Sequence, residues 1–405
     1  RDGSLLGNPR HYRDPQTEGV MEKAFERVSR SELYQRTGLQ FMRFNTLFQL
    51  VAMARDGSPL VDMAHNLLLM PDLLHYFFTG IKVNELTDAS TTQMLDPGTC
   101  SWSDGLLEAF GLKSNILGSI VKPGTVLGPL RASVASDTGL TPMPIVATAT
   151  HDTAAAVAAV PARGDGWAYI SSGTWSLMGG ELSAPCRTEA ALAANFTNEI
   201  GFGGRIRFLK NIMGLWLVQE CRRVWERKGQ SYSYEELMRL ADEAPAFGSI
   251  IDPDHDGFIL PTSMPQAIAD FCLKTKQKPP EGVGPTVRCA LESLALRYRW
   301  VLEKLQELTG QKLHRIHIVG GGSQNQLLCQ LTADCCGCEV LAGPVEATAI
   351  GNVLVQAVGL GVLSSLEEAR EVVRNSFELR SYVPRKEGRW QERYDSFCRI
   401  IQGDH

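Results

Sequence analysis

The stretch "HRIHIVGGGSQNQLLCQLTADCCGCEVLAGP", residues 314–344, carries the fold class. A β-branched apolar run leads into three glycines, a helix-compatible run follows, and a second apolar run closes it. Two strands joined through a helix need a crossover connection, and such a connection makes them parallel. The chain is therefore read as α/β. Ser323 and Gln326 fit a capping box, which predicts a helix starting immediately after Gly322. Glycines between a strand and a capped helix let a ligand lie against backbone, so a nucleotide site is one reading and a glycine-tight turn the other. A dinucleotide fingerprint would need a sixth-position glycine and an acid ending the second strand. Here Asn325 takes the sixth position and Glu339 opens the strand, so that reading fails.

Working outward, "PTVRCALESLALRYRWVLEKLQELTG" places Val287, Leu291, Leu294, Tyr298, Val301, Leu302 and Leu305 at helical spacing, with Gly310 as the stop. "LKNIMGLWLVQECRRVWERKG" reads as another helix. "GWAYISSGTWSLMGGEL" reads as a hairpin turning at Ser172 and Gly173. Its small residues permit backbone N–H groups and the Thr174 hydroxyl to approach phosphate oxygens, although a bare turn would read the same way. Up to about residue 140 the chain reads as helices and loops, among them "SRSELYQRTG" and "NTLFQLVAMARDG". "MPIVATAT" then reads as a buried strand, and a domain boundary is placed near residue 147, giving domains 1–146 and 147–405.

After that strand comes "ATATHDTAAAVAAV", residues 147–160, with one acid, Asp152, ahead of a run of alanine and valine. Asp152 reads either as an N-cap or, from its place at a strand's carboxyl end, as a base that accepts a proton from a substrate hydroxyl. His151 and Thr153 add the donors and acceptor that a polyol pocket needs.

Composition limits the alternatives. The chain has 405 residues, 44% hydrophobic and 21% charged, 38 glycines and a formal net charge of −5. Those values describe a globular protein and give no footprint for nucleic acid. No apolar run is long enough to span a bilayer, and the opening has no secretory apolar segment. Ten cysteines, with Cys335, Cys336 and Cys338 clustered, form no disulfide framework and lack a second pair at metal-ligand spacing. Packed thiols in a reducing cytoplasm are expected, and no metal ligands are assigned.

Taken together, "HDTAAAV", "YISSGTWSLMG", "NFTNE", "LKNIMGLWLVQ", "IHIVGGGSQNQLLCQLTADCCG" and "AGPVEATAIGN" resemble, in order and spacing, segments of the FGGY carbohydrate kinases. "GLQFMRFNTLFQL", "LLLMPDLLHYFFTG" and "TDASTTQML" match in the first part, so the resemblance covers nearly the whole chain. It implies the actin-like ATPase (ribonuclease H-like) fold, with a nucleotide and sugar cleft between two lobes. The implied reaction is transfer of the ATP γ-phosphoryl group, with Mg²⁺, to the 1-hydroxyl of L-rhamnulose. Asp152 falls on the family's catalytic base, His151 and Thr153 on sugar contacts, and Asn211 on a substrate-side asparagine. Thr174 falls on the phosphate turn, Gln219 on a nucleotide-side glutamine and Gly321 on the adenosine motif. A fuculose, xylulose or ribulose kinase is the nearest alternative, and a non-catalytic nucleotide-binding module is the alternative of another class. A monomer or small homo-oligomer is expected. Two departures stand out. The family's opening Asp-x-Gly-x-x-Ser hairpin is not among these residues, so the 405 residues are expected to be part of a longer protein and to turn over little by themselves. Gln16 stands where an arginine is expected, which should weaken a sugar or interlobe contact.

Overall fold

The run of small residues after Asp152 forms the helix Asp152–Ala158, and Thr153 through Ala158 are all buried. The computed structural model describes residues 3–385 and 388–403. It explains the alanines through the helix Ala347–Gly359, which comes to main-chain contact: a Cβ placed on Gly351 would collide with the Ala155 carbonyl oxygen. Two hydroxyls tie the same elements together, Thr148 Oγ1 donating to Asn352 O at 3.1 Å and Thr348 Oγ1 to Asp152 O at 3.3 Å. Ala149, Ala154, Ala155, Ala158, Phe202 and Val355 form the core beneath. Larger side chains at the contact would force the helices apart, because interiors are close-packed.

This region belongs to the first of two compact units, comprising Arg1–Ala159, Glu181–Leu209 and Thr348–Val372. The strand before Asp152, Pro144–Ala147, pairs antiparallel with Thr125–Pro129 in a two-stranded sheet. Asp152 does follow a strand's carboxyl end, but in α/β folds the ligand crevice opens at the ends of parallel strands, and this strand is antiparallel; the acid is placed by its helix. The same unit contains the helices Arg30–Thr37 and Thr46–Arg55 where the sequence predicts them. Ser29 caps the first through Glu32 N, and left-handed Gly38 ends it.

The second unit comprises Val160–Gly180, Lys210–Ala347 and Val373–His405. The first passage between units falls after Ala159, beyond the boundary expected near 147, and the chain passes again at 180/181, 209/210, 347/348 and 372/373. Six neighbouring strands of a seven-stranded sheet, lying wholly or partly in this unit, run in the order Arg380–Tyr382, Glu339–Ala342, Arg315–Val319, Trp167–Ser172, Trp175–Leu182, Ile206–Met213. Arg315–Val319 and Glu339–Ala342 are parallel, as the crossover requires. Trp167–Ser172 and Trp175–Leu182 form the antiparallel hairpin, turning at Gly173 and Thr174 with Ser172 still in its strand. The helix Val283–Thr309 buries all seven residues of its predicted stripe and ends at left-handed Gly310. Cys335 and Cys338 are buried free thiols.

Two predicted elements differ. The crossover helix starts at Gln326, three residues later than the capping box implied, with the Asn325 side chain accepting from Leu328 N. Gly321–Gln324 is a 3-10 turn instead, because the Ser323 hydroxyl turns back to Gly320 O at 2.7 Å. "LKNIM" lies not in a helix but in the strand Ile206–Met213, and the helix proper is Trp216–Arg227. The amino half of that strand, in the first unit, pairs antiparallel with Thr197–Ile200.

Candidate active site

In the first unit, the N-cap of the helix Asp152–Ala158 is His151, and Asp152 is its first helical residue. The N-cap reading of Asp152 is thereby corrected. Its Oδ1 takes the N–H of Thr153 and, at 3.1 Å, the Thr153 hydroxyl, but the side chain stays 77% exposed. A carboxylate at the first turn is favoured by the helix dipole, and this one still offers lone pairs outward. Thr153 is buried.

The approach to the helix is held by Glu85. Its Oε2 accepts from Thr150 N at 3.0 Å and Thr150 Oγ1 at 2.7 Å, and its Oε1 accepts from Thr87 N at 2.9 Å. Thr87 Oγ1 in turn accepts from His151 N at 3.2 Å. Burial pushes the Glu85 carboxyl above its ordinary range despite these bonds. Half-buried Asp88 rises to about 7, through burial and the neighbouring charges of Asp72, Glu85, Asp152 and Glu199.

Sequence reasoning gave no role to the two residues that face the His151 ring. Arg207 and Glu199 sit directly opposite each other across the antiparallel strands. Arg207 Nη2 is 3.0 Å from Glu199 Oε2 and 2.8 Å from His151 Nδ1, and both side chains are buried. Burial, followed by the Arg207 charge, lowers the His151 pKa below the ordinary imidazole value. "NFTNE" contains Glu199, but nothing in the sequence pairs it with Arg207; a charge inside an apolar strand run was the available signal.

In the second unit, Gly173 O accepts from Leu215 N at 3.1 Å and Thr174 O from Trp216 N at 3.0 Å, which docks the hairpin turn on the start of the helix Trp216–Arg227. Thr174 Oγ1 then donates to Gln219 Oε1 at 3.2 Å, bringing two of the predicted residues together. The three glycines differ in kind. A Cβ on Gly320, whose φ is +84°, would lie 2.8 Å from Ser172 O, and one on Gly322 would collide with the Ser172 hydroxyl. One on Gly321 would meet nothing within 4 Å. The outer two glycines let the turn pack on the hairpin strand, and the middle one presents bare backbone to open space. Of the three, Gly320 has the positive φ. Asn211 is the one half-buried position in the otherwise buried strand Ile206–Met213.

His151, Asp152 and Thr153 therefore lie in the first unit, and Asn211, Thr174, Gln219 and Gly321 in the second. Gln16 accepts a bond from Arg10 and donates its N–H to Asp14 Oδ1 at 2.9 Å.

The fold is that of the actin-like sugar kinases. A xylulose kinase from Lactobacillus acidophilus superposes with a TM-score of 0.81 at 16% identity, covering 99% of this chain and 80% of that one. A Plasmodium falciparum glycerol kinase with ADP gives 0.74 at 14%, covering 99% and 79%. Residues 1–159 match the N-terminal domain, and residues 168–360 the C-terminal domain, of the FGGY family of carbohydrate kinases. The chain belongs to that family. It is 47% identical over 402 residues to a rhamnulokinase of Bacteroides thetaiotaomicron, covering 99% of this chain and 82% of the relative. It is 43% identical to one of Enterococcus faecalis, covering 94% and 76%. No helix of the described residues is long and apolar enough to cross a membrane.

Proposed function

We propose that this protein transfers the γ-phosphoryl group of ATP to the 1-hydroxyl of L-rhamnulose, giving L-rhamnulose 1-phosphate and ADP. The observation that carries the chemistry is an exposed carboxylate, Asp152, on a buried small-residue helix and beside a histidine. The assignment to this sugar is supported by 40–47% identity to several rhamnulokinases.

Asp152 accepts the proton of the attacking hydroxyl, while His151, Thr153 and Asn211 hold the sugar. The O–P bond forms as the bond to the ADP oxygen breaks, so the protein supplies positioning and charge stabilisation more than covalent help. The turn Gly320–Gly322 suits a nucleotide because the space outside Gly321 is open; the polar contacts proposed beside it are Thr174 and Gln219, which bond to each other in the same unit. Mg²⁺ offsets phosphate charge. Among the described residues there is no group of three His, Cys, Asp or Glu side chains that could hold an ion. The ion would enter with the nucleotide and supply charge neutralisation at its phosphates. The setting is proposed to be the cytoplasm.

The test is ADP release by the whole protein with L-rhamnulose, fuculose, xylulose and ribulose. A higher kcat/KM for another ketose would overturn the substrate assignment. Absence of turnover with all four, while ATP still binds, would favour the nucleotide-binding module.

A further inference from the structure

His151 stands between a base and a fixed positive charge, and this decides where its proton sits. A guanidinium has five N–H donors, no acceptor, and no accessible deprotonated form. Arg207 Nη2 lies 2.8 Å from His151 Nδ1. Nδ1 must therefore present its lone pair, and the single proton of the neutral ring must be on Nε2. Glu199 could reverse this, since its Oε2 is 3.5 Å from Nδ1. That separation is 0.5 Å longer than the ion-pair distance of 3.0 Å from the same oxygen to Arg207 Nη2, so the guanidinium is the nearer group to both the ring nitrogen and the carboxylate. The carboxylate's other oxygen accepts from Thr197 Oγ1 at 3.4 Å. Arg207 is further held by Ile200 O, 3.4 Å from both Nε and Nη2. With side-chain exposures of 0% for Arg207 and 6% for Glu199, water cannot readily rearrange the pair. On the far side of the ring, Nε2 is 3.6 Å from Asp152 Oδ1.

We infer that Arg207 and Glu199 are positioning residues: they hold His151 as the neutral Nε2–H tautomer, so that the ring presents an N–H on its Asp152 side, to be taken by the sugar hydroxyl, and never serves as a second base. This rests on the reading of Asp152 as the base. The proton balance follows. The substrate hydroxyl's proton goes to Asp152, the new O–P bond forms, ADP leaves, and His151 carries one proton before and after. A lone pair at Nε2 would compete for that proton, and an imidazolium would make the adjacent carboxylate a poorer acceptor. Arg207, Glu199 and Asp152 are the charged groups that bear on the ring, and Arg207 with burial outweighs the two acids in opposing the imidazolium.

The experiment is a long-range ¹H–¹⁵N correlation spectrum of the ¹⁵N-histidine-labelled whole protein, with His151 assigned by the signals lost in His151→Gln. Protonated Nε2 and bare Nδ1 are expected from about pH 5 to 8, the range in which an ordinary histidine would titrate. Arg207→Lys keeps a donor and a charge, so it should keep the tautomer. Arg207→Met leaves Glu199 as the only charged neighbour at Nδ1. It should move the proton to Nδ1, raise the acid limb of kcat/KM by about one pH unit, and lower kcat about tenfold. An Nδ1–H ring in the wild-type protein, or in Arg207→Lys, would overturn the inference. So would an unchanged spectrum in folded Arg207→Met, and the first two results stand even if that variant does not fold. Failure of the underlying reading looks different: Asp152→Asn would keep its turnover while the His151 spectrum stayed as described.

Discussion

Around Asp152 the first unit gathers charge, with His151, Glu199, Arg207, Glu85 and Asp88 acting on one another at short range. Around Gly321 the second unit's described contacts are between neutral groups. That unit offers main chain, a threonine hydroxyl and a glutamine amide, and it makes room by omitting side chains. One site depends on which group holds a proton, the other on what can come near. The two should fail differently under substitution. In the first, rate should be lost while binding persists; in the second, the affinity for one substrate should fall while the chemistry remains intact.

The largest expected effect is that of Asp152→Asn. It keeps size and first-turn polarity but removes the base, so kcat should fall about 10²–10⁴-fold with sugar and ATP affinities nearly unchanged. A modest drop in melting temperature with normal turnover would show the carboxylate to be only a helix-terminal group. The glycines supply the opposite case. Gly322→Val forces a branched side chain into Ser172 and should destabilise by about 1–3 kcal/mol, as overpacking does, measurable by denaturant titration. Gly321→Val has space, so the melt should hold while KM for ATP rises about tenfold and KM for the sugar does not move. If the two valines behave alike, the turn has no ligand-facing side. Thr174→Val should cost less, since it removes one hydrogen bond to Gln219 worth about 0.5–1.5 kcal/mol, and the loss should appear in ATP binding by calorimetry.

The smallest effect concerns Asp88. With a folded pKa near 7, above its ordinary value, the folded chain keeps a proton that the unfolded chain has released. Stability from this group is therefore greatest below about pH 4 and declines as pH rises toward 7. Asp88→Asn removes that decline. The gain in Tm over wild type should be near zero at about pH 4 and reach about 2–4 °C at about pH 8. An equal gain at both values would mean that Asp88 does not hold its proton.

The two regions were also unequally legible. The parallel pair and the long helix could be read because local spacing encodes them, down to the stop at Gly310. The helix start after the turn was misplaced because Ser323 has two uses for its hydroxyl, and folding it back on Gly320 left Asn325 as the cap. "LKNIM" looked helical because it runs on into the helix Trp216–Arg227 with only Gly214 and Leu215 between strand and helix. Arg207 meets Glu199 only through strand register, and register is a tertiary outcome. The candidate acid Asp152 could be singled out from the sequence, but the buried pair that meets its neighbouring histidine could not.

The contact between Gly351 and the Ala155 carbonyl bears on how a mutational survey of this enzyme would be interpreted. Where two main chains touch, no rotamer can adjust and no neighbouring substitution can compensate, so any side chain at position 351 shifts the helix that carries the acid. Growth selections should therefore score Gly351 as intolerant as Asp152. Only purified protein, assayed for folding and for turnover separately, would tell the support from the reagent.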